Sequence, residues 1–148
     1  MSRNRFASWT ITLLVTLVLS GCASSIKSPR LNAGLSQDEA REASKEYEQL
    51  LAASAAGQNS QARDLAYAIL DRYPGFEHED HVLLLGARAA DELGDDRTAR
   101  VLLDSLLQHH PASLYRPDAW WLTAQIHDRK LQWREAALAY VHYLDQPG

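Results

Sequence analysis

Apolar residues recur along most of the chain at intervals of three and four, the spacing that places them on one face of an α-helix. Short segments rich in glycine, proline and aspartate separate these runs. No stretch shows the alternation of β-branched and polar residues that indicates a strand. The pattern therefore predicts an all-α protein with six helices, near residues 37–56, 60–72, 79–93, 96–109, 117–130 and 133–145.

The predicted helices repeat in pairs. Ala62, Ala99 and Ala136 are 37 residues apart in both steps, and Pro74 and Pro111 follow their alanines at the same distance. Each unit reads as a helix, a tight turn, a second helix and a stop. This periodicity predicts a repeat domain over 36–148, with units near 36–74, 75–111 and 112–148.

An apolar segment of a different kind lies near the start, where residues 7–19 carry no charge. Arg3 and Arg5 precede it and Leu19-Ser20-Gly21-Cys22 follows it, so the segment has the parts of a secretory signal. A transmembrane span needs about 20 apolar residues, and this run is shorter. The tetrad resembles a bacterial lipobox, which implies cleavage before Cys22 and acylation of its thiol.

The lipobox interpretation divides the start of the chain into a cleaved signal peptide over 1–21 and a lipidated Cys22 that begins a flexible tether over 22–35. The tether is rich in serine, proline, glycine and asparagine. Residue 23 is alanine rather than the aspartate associated with retention in the inner membrane. We therefore expect the protein on the periplasmic face of the outer membrane, held there by more than one acyl chain.

The repeated unit resembles a tetratricopeptide repeat. Residues of suitable size occupy the family positions, namely Leu83, Gly86, Ala87, Gly94, Ala99 and Pro111 in one unit and Trp120, Ala124, Ala136 and Tyr140 in the next. The long connectors PGFEHED and PASLYRP, together with the lipobox, make the chain similar to the BamD (YfiO) and YbgF (CpoB) group of periplasmic repeat proteins. This resemblance implies a tetratricopeptide-like α-α solenoid of about three helix pairs. It also implies a protein-binding adaptor or scaffold in envelope biogenesis, first of all in outer-membrane protein assembly. Coordination of cell-wall synthesis or division, as for YbgF, is the alternative.

The charge and the motifs limit the function further. The chain has 15 basic and 19 acidic residues, a net charge of −4, and removal of Arg3 and Arg5 with the signal makes the remainder more acidic. Such a chain, with no basic cluster, argues against nucleic acid as a partner. It has no glycine-rich phosphate loop, no G-x-S-x-G and no HExxH, so we expect neither an enzyme nor a cofactor.

A partner-binding groove is predicted on the first helices of the pairs, because these helices line the concave face of such solenoids. The predicted surface mixes a tryptophan with arginines and acids, which suits an extended or helical peptide. Whether Trp121 lies in this groove or packs in the core is left open. The predicted groove residues are His81, Leu84, Arg88, Asp91, Glu92, Asp118, Trp121, Gln125, Asp128 and Arg129.

A metal site is the alternative from another class. Glu77-His78-Glu79-Asp80-His81 contains the donors that zinc accepts, which would fit a metal- or small-ligand-binding lipoprotein. An acidic helix N-terminus, favoured by the helix dipole, explains the same residues without a metal. We prefer that interpretation and predict no metal.

Overall fold

The computed structural model describes residues 34–146, which form six α-helices and, within that range, no strand. All six predicted helices are present, and each end lies within one residue of its prediction. The predicted signal peptide, Cys22 and nearly all of the tether lie outside the described residues. Among the described helices, none combines the length and the apolar character needed to cross a membrane. The helices are α1 (Gln37–Ala55), α2 (Asn59–Arg72), α3 (Glu79–Glu92), α4 (Asp96–His109), α5 (Arg116–Arg129) and α6 (Trp133–Leu144).

The helices pack as three stacked pairs, α1 with α2, α3 with α4 and α5 with α6. The second helix of each pair also contacts the first helix of the next, and the first helices contact one another in the order α1, α3, α5. This arrangement is an α-α solenoid, so the predicted fold class is confirmed. Helix α3 is enclosed most, because it contacts α1, α2, α4 and α5.

The turn inside each pair has the same backbone conformation in all three repeats. Gly57, Gly94 and Leu131 stand 37 residues apart, and their φ angles are +67°, +73° and +57°. Glycine adopts this left-handed region without steric cost, whereas an L side chain there costs roughly 1–2 kcal/mol. The repeat geometry therefore imposes the turn on Leu131 even though the sequence supplies no glycine.

Small residues occupy the places where helices approach most closely. Ala62, Ala99 and Ala136, the residues that define the period, are all buried. A Cβ added at Gly86 would lie 2.8 Å from the Cβ of Ala66, so α2 and α3 touch backbone to side chain there. Around these contacts, leucine and isoleucine side chains fill two hydrophobic clusters, one among α1, α2 and α3 and one among α3, α4 and α5.

The start of the domain is fixed by a capping box. The Ser36 hydroxyl accepts a hydrogen bond from the Glu39 backbone N–H, and the Glu39 carboxylate accepts one from the Ser36 backbone N–H at 3.0 Å. The S-x-x-E pattern of the sequence thus gives the reciprocal pair that satisfies two free donors at a helix end.

Candidate peptide-binding groove

A concavity of about 290 Å³ lies between α3 and α5, the first helices of the second and third pairs. Besides Leu122, its lining consists of six of the ten predicted groove residues, namely Arg88, Asp91, Glu92, Asp118, Trp121 and Gln125. The structure thus brings most of the predicted residues onto one surface. That they bind a partner stays a prediction.

Four predicted residues do not line this concavity. The prediction that Leu84 lines the groove is wrong, since Leu84 is 1% exposed in the core cluster shared with α4 and α5. The reason is the position of Leu84 along α3, where side chains of α4 and α5 enclose it, whereas Arg88 one turn later lies at the concavity. Arg129 lies at the edge of the concavity, where it forms an ion pair with Asp91. Asp128 is exposed to solvent and does not line the concavity. His81 is half-buried in a separate cluster of aromatic rings.

Trp121 is both a packed and an exposed residue. Its ring lies 5.5 Å from that of Tyr140 and 5.3 Å from that of Tyr143, both on α6, while 43% of the residue stays exposed. The neighbouring Trp120 is half-buried and stacks on His142 at 4.4 Å. The sequence does not place these two tyrosines at the groove, because their contact with Trp121 depends on how α6 packs against α5. They hold Trp121 as a supported apolar surface at the groove.

Two ion pairs order the charged residues of the groove. Arg88 on α3 lies 3.2 Å from Asp118 on α5, and Arg129 pairs with Asp91. Each partner of the first pair is about half exposed, so that pair contributes well under 1 kcal/mol to stability. Their effect is to fix the positions of side chains across the α3–α5 interface.

The edge of the groove continues into a network at the start of α4. Lys130 donates a hydrogen bond to Asp96 at 2.7 Å, and Arg129 lies 3.6 Å from the same carboxylate. The hydrogen bond from Lys130 is the largest cause that lowers the pKa of Asp96 below its usual range. The hydrogen bond to Asp91 raises the pKa of Arg129. Both charges therefore persist at neutral pH and tie α5 to α4.

Glu92 differs from the other acids of the concavity. It is exposed and has no ion-pair partner among residues 34–146, whereas Asp91 and Asp118 are both paired. A free carboxylate on the same surface as an exposed tryptophan suits a cationic group, because the indole face also attracts cations. The groove is thus equipped for a peptide that presents an apolar and a basic side chain.

His81 lies next to the groove in a cluster that joins α1, α3 and the start of α5. Its Nδ1 shares a hydrogen bond of 2.5 Å with the Tyr47 hydroxyl, and its ring stacks on Tyr115 at 4.2 Å. Burial is the main cause that lowers the pKa of His81. His78 stacks on the other side of the cluster, 4.8 Å from the Tyr47 ring. Both histidines are engaged in packing, and residues 34–146 hold no group of three or more side chains able to ligate a metal.

The comparison with known families adds one finding. The sequence profile of a family described as a tetratricopeptide repeat-like domain matches residues 8–140, most of the chain. No curated protein and no solved structure matches the chain.

Proposed function

We propose that this chain, which belongs to the tetratricopeptide repeat-like family, is a membrane-anchored periplasmic adaptor that binds a protein partner in its α3–α5 groove. Domains of this family commonly mediate protein–protein interactions. The observation that carries the proposal is Trp121, a large aromatic side chain that is exposed in a concavity and supported from behind by Tyr140 and Tyr143. The proposed mechanism is binding without catalysis.

The chemistry of the groove supports a peptide ligand. Tryptophan and arginine are enriched among the residues that dominate binding energy, where truncation costs about 2 kcal/mol or more. Trp121 and Arg88 both line the concavity, and each is held in place before binding by neighbours on α6 and α5. Such preorganisation lowers the entropy lost on association. The free Glu92 carboxylate selects for a basic residue next to the apolar anchor.

The location is proposed from the sequence. The basic start, the uncharged run and the Leu19-Ser20-Gly21-Cys22 tetrad support lipidation at Cys22, and Ala23 supports the outer membrane. Confinement at a membrane raises the effective concentration of the groove for partners beside it. By resemblance to the BamD group, the first candidate process is assembly of outer-membrane β-barrel proteins, and the second is coordination of cell-wall synthesis or division.

Photo-crosslinking in living cells tests the groove. A photoreactive amino acid at Trp121 of the full chain is compared with one at Tyr67 on α2, an aromatic residue that is equally exposed at 43%. We expect a strong product from position 121 and little from position 67, with the partner identified by mass spectrometry. A β-barrel assembly component supports the first process, and a cell-wall synthase or division protein supports the second. Equal labelling from both positions, or none, would show that the groove is not the binding surface.

The anchor requires its own test. The proposal expects the wild-type chain in the membrane fraction, with an intact mass that includes acyl chains on residue 22. A Cys22→Ser variant should lack that mass. A wild-type chain without acyl mass would contradict the lipoprotein proposal while leaving the groove proposal standing.

A further inference from the structure

Helix α6 presents an apolar face that no described residue covers. It packs on α5 through Ala136 and Ala139 and meets Trp121 through its tyrosines. On the opposite side, Leu138 is 63% and Val141 is 53% exposed. Half of the exposed large apolar side chains in residues 34–146 lie within 131–144. An exposed apolar patch of this kind marks a contact surface.

Charges of opposite sign stand at the two ends of this face. Arg134, Leu138, Val141 and Asp145 follow one another at intervals of four, three and four, so they form a single stripe along the outer side of α6. Both charged residues are exposed. Neither has an ion-pair partner among residues 34–146.

The stripe is complementary to itself. The midpoint between Arg134 and Asp145 lies between Ala139 and Tyr140. The midpoint between Leu138 and Val141 is the same point of the helix. We propose that this face binds α6 of a second copy of the chain, with the two helices antiparallel about a two-fold axis at that point. Arg134 then faces Asp145 of the second copy, Leu138 faces Val141 of the second copy, and the symmetry repeats both contacts.

The charges decide between the possible orientations. In a parallel pair Arg134 would face Arg134 of the second copy, and Asp145 would face Asp145 of the second copy. Both contacts would then be repulsive. The antiparallel pair turns the same charges into two attractive contacts, as symmetric dimers require of a self-complementary surface. Ala137 flanks the stripe and offers little bulk, which lets the two helices approach closely.

The size of the face indicates a weak dimer. A helix of 12 residues is about 18 Å long, so each copy buries less than the roughly 800 Å² per partner of a standard stable interface. The groove remains open in the dimer, because it is lined by α3 and α5 and the tyrosines that support Trp121 point to the inner side of α6. A dimer therefore offers two grooves to one partner complex.

Cysteine crosslinking of the full chain in cells tests this arrangement. In the antiparallel pair, the two copies of residue 138 are offset from each other by about 4–5 Å along the helix axis, whereas the two copies of residue 134 are offset by roughly 16 Å. A disulfide requires Cα atoms about 4.4–6.8 Å apart. Leu138→Cys is therefore expected to form a disulfide-linked dimer under mild oxidation. Arg134→Cys alone is expected not to, while co-expressed Arg134→Cys and Asp145→Cys chains should link to each other.

Two controls make the result decisive. Val101→Cys, at a position on α4 that is 60% exposed, measures the dimer yield from random collision. The wild type measures any disulfide-linked dimer that forms through Cys22 itself. Charge reversal by Arg134→Asp should lower the dimer yield of Leu138→Cys several-fold, and adding Asp145→Arg should restore it. A Leu138→Cys yield no greater than that of Val101→Cys would overturn the proposal. Ready self-linking of Arg134→Cys, or a crosslinked band that is not twice the mass of the chain, would do the same.

Discussion

Replacement of Gly86 by alanine tests how tightly the helix pairs are packed. The new Cβ would lie 2.8 Å from the Cβ of Ala66 on α2 and 3.2 Å from a methyl group of Leu102 on α4. Carbon atoms in good contact are about 3.5–4.0 Å apart. The leucine can rotate, but the Ala66 methyl group is fixed to its backbone, so α2 and α3 must separate by several tenths of an ångström.

Two opposing effects set the magnitude. Alanine is favoured over glycine in a helix interior by about 1 kcal/mol. Overpacking of a close contact costs about 1–3 kcal/mol. We therefore expect Gly86→Ala to lower the free energy of unfolding by about 1 kcal/mol, measured by urea unfolding followed with far-ultraviolet circular dichroism.

A double variant separates the contact from helix propensity. Ala66→Gly alone should also lower the free energy of unfolding, by about 1–2 kcal/mol, because it places glycine in α2 and opens a small cavity. Combined with Gly86→Ala it moves one methyl group across the interface and relieves the clash. The double variant should therefore unfold close to the wild type rather than with the sum of both losses. Stabilisation by Gly86→Ala alone would refute the reasoning.

Further predictions concern a turn, a cap and a histidine. Leu131→Gly should raise the free energy of unfolding by about 0.5–1 kcal/mol, because relief of the left-handed strain exceeds the extra backbone entropy that glycine loses on folding; urea unfolding that shows a loss would contradict this. Ser36→Ala should lower the free energy of unfolding by about 1 kcal/mol through loss of the capping box, and an unchanged midpoint of thermal unfolding would contradict it. Burial lowers the pKa of His81, so below its ordinary value of about 6.5 the unfolded chain takes up the proton first and stability is lost as the pH falls. The melting temperature of the wild type should therefore drop more between about pH 7.5 and pH 5.5 than that of His81→Gln, and equal drops would exclude this role.

The elements could be predicted from the sequence because local chemistry determines them. The Ser36–Glu39 capping box and the Gly94–Asp95 turn each act within a few residues. The alanines that recur every 37 residues reveal the repeat. The positive φ of Leu131 could not be predicted from its own residue type. It follows from the repeat, since the two glycines at the equivalent positions adopt the same conformation.

The candidate groove could be predicted only in part, because burial depends on distant neighbours. Helical spacing predicts that Leu84 on α3 and Trp121 on α5 occupy equivalent positions at the groove. The contacts of α3 with four other helices bury Leu84, whereas α5 has fewer neighbours and leaves Trp121 partly exposed. The support of Trp121 by Tyr140 and Tyr143 depends on how α6 packs against α5, which no single-helix pattern reveals.

The most direct test of the account measures affinity for the partner recovered by crosslinking at position 121. Titrations compare the wild type with Trp121→Ala in the groove and with Tyr67→Ala, an equally exposed aromatic residue outside it. Loss of a dominant aromatic contact of about 2 kcal/mol corresponds to a roughly 30-fold weaker Kd. We predict such a loss for Trp121→Ala, with unchanged helical content, and a change of less than about twofold for Tyr67→Ala. Equal affinities of the two variants would contradict the claim that this groove binds the partner.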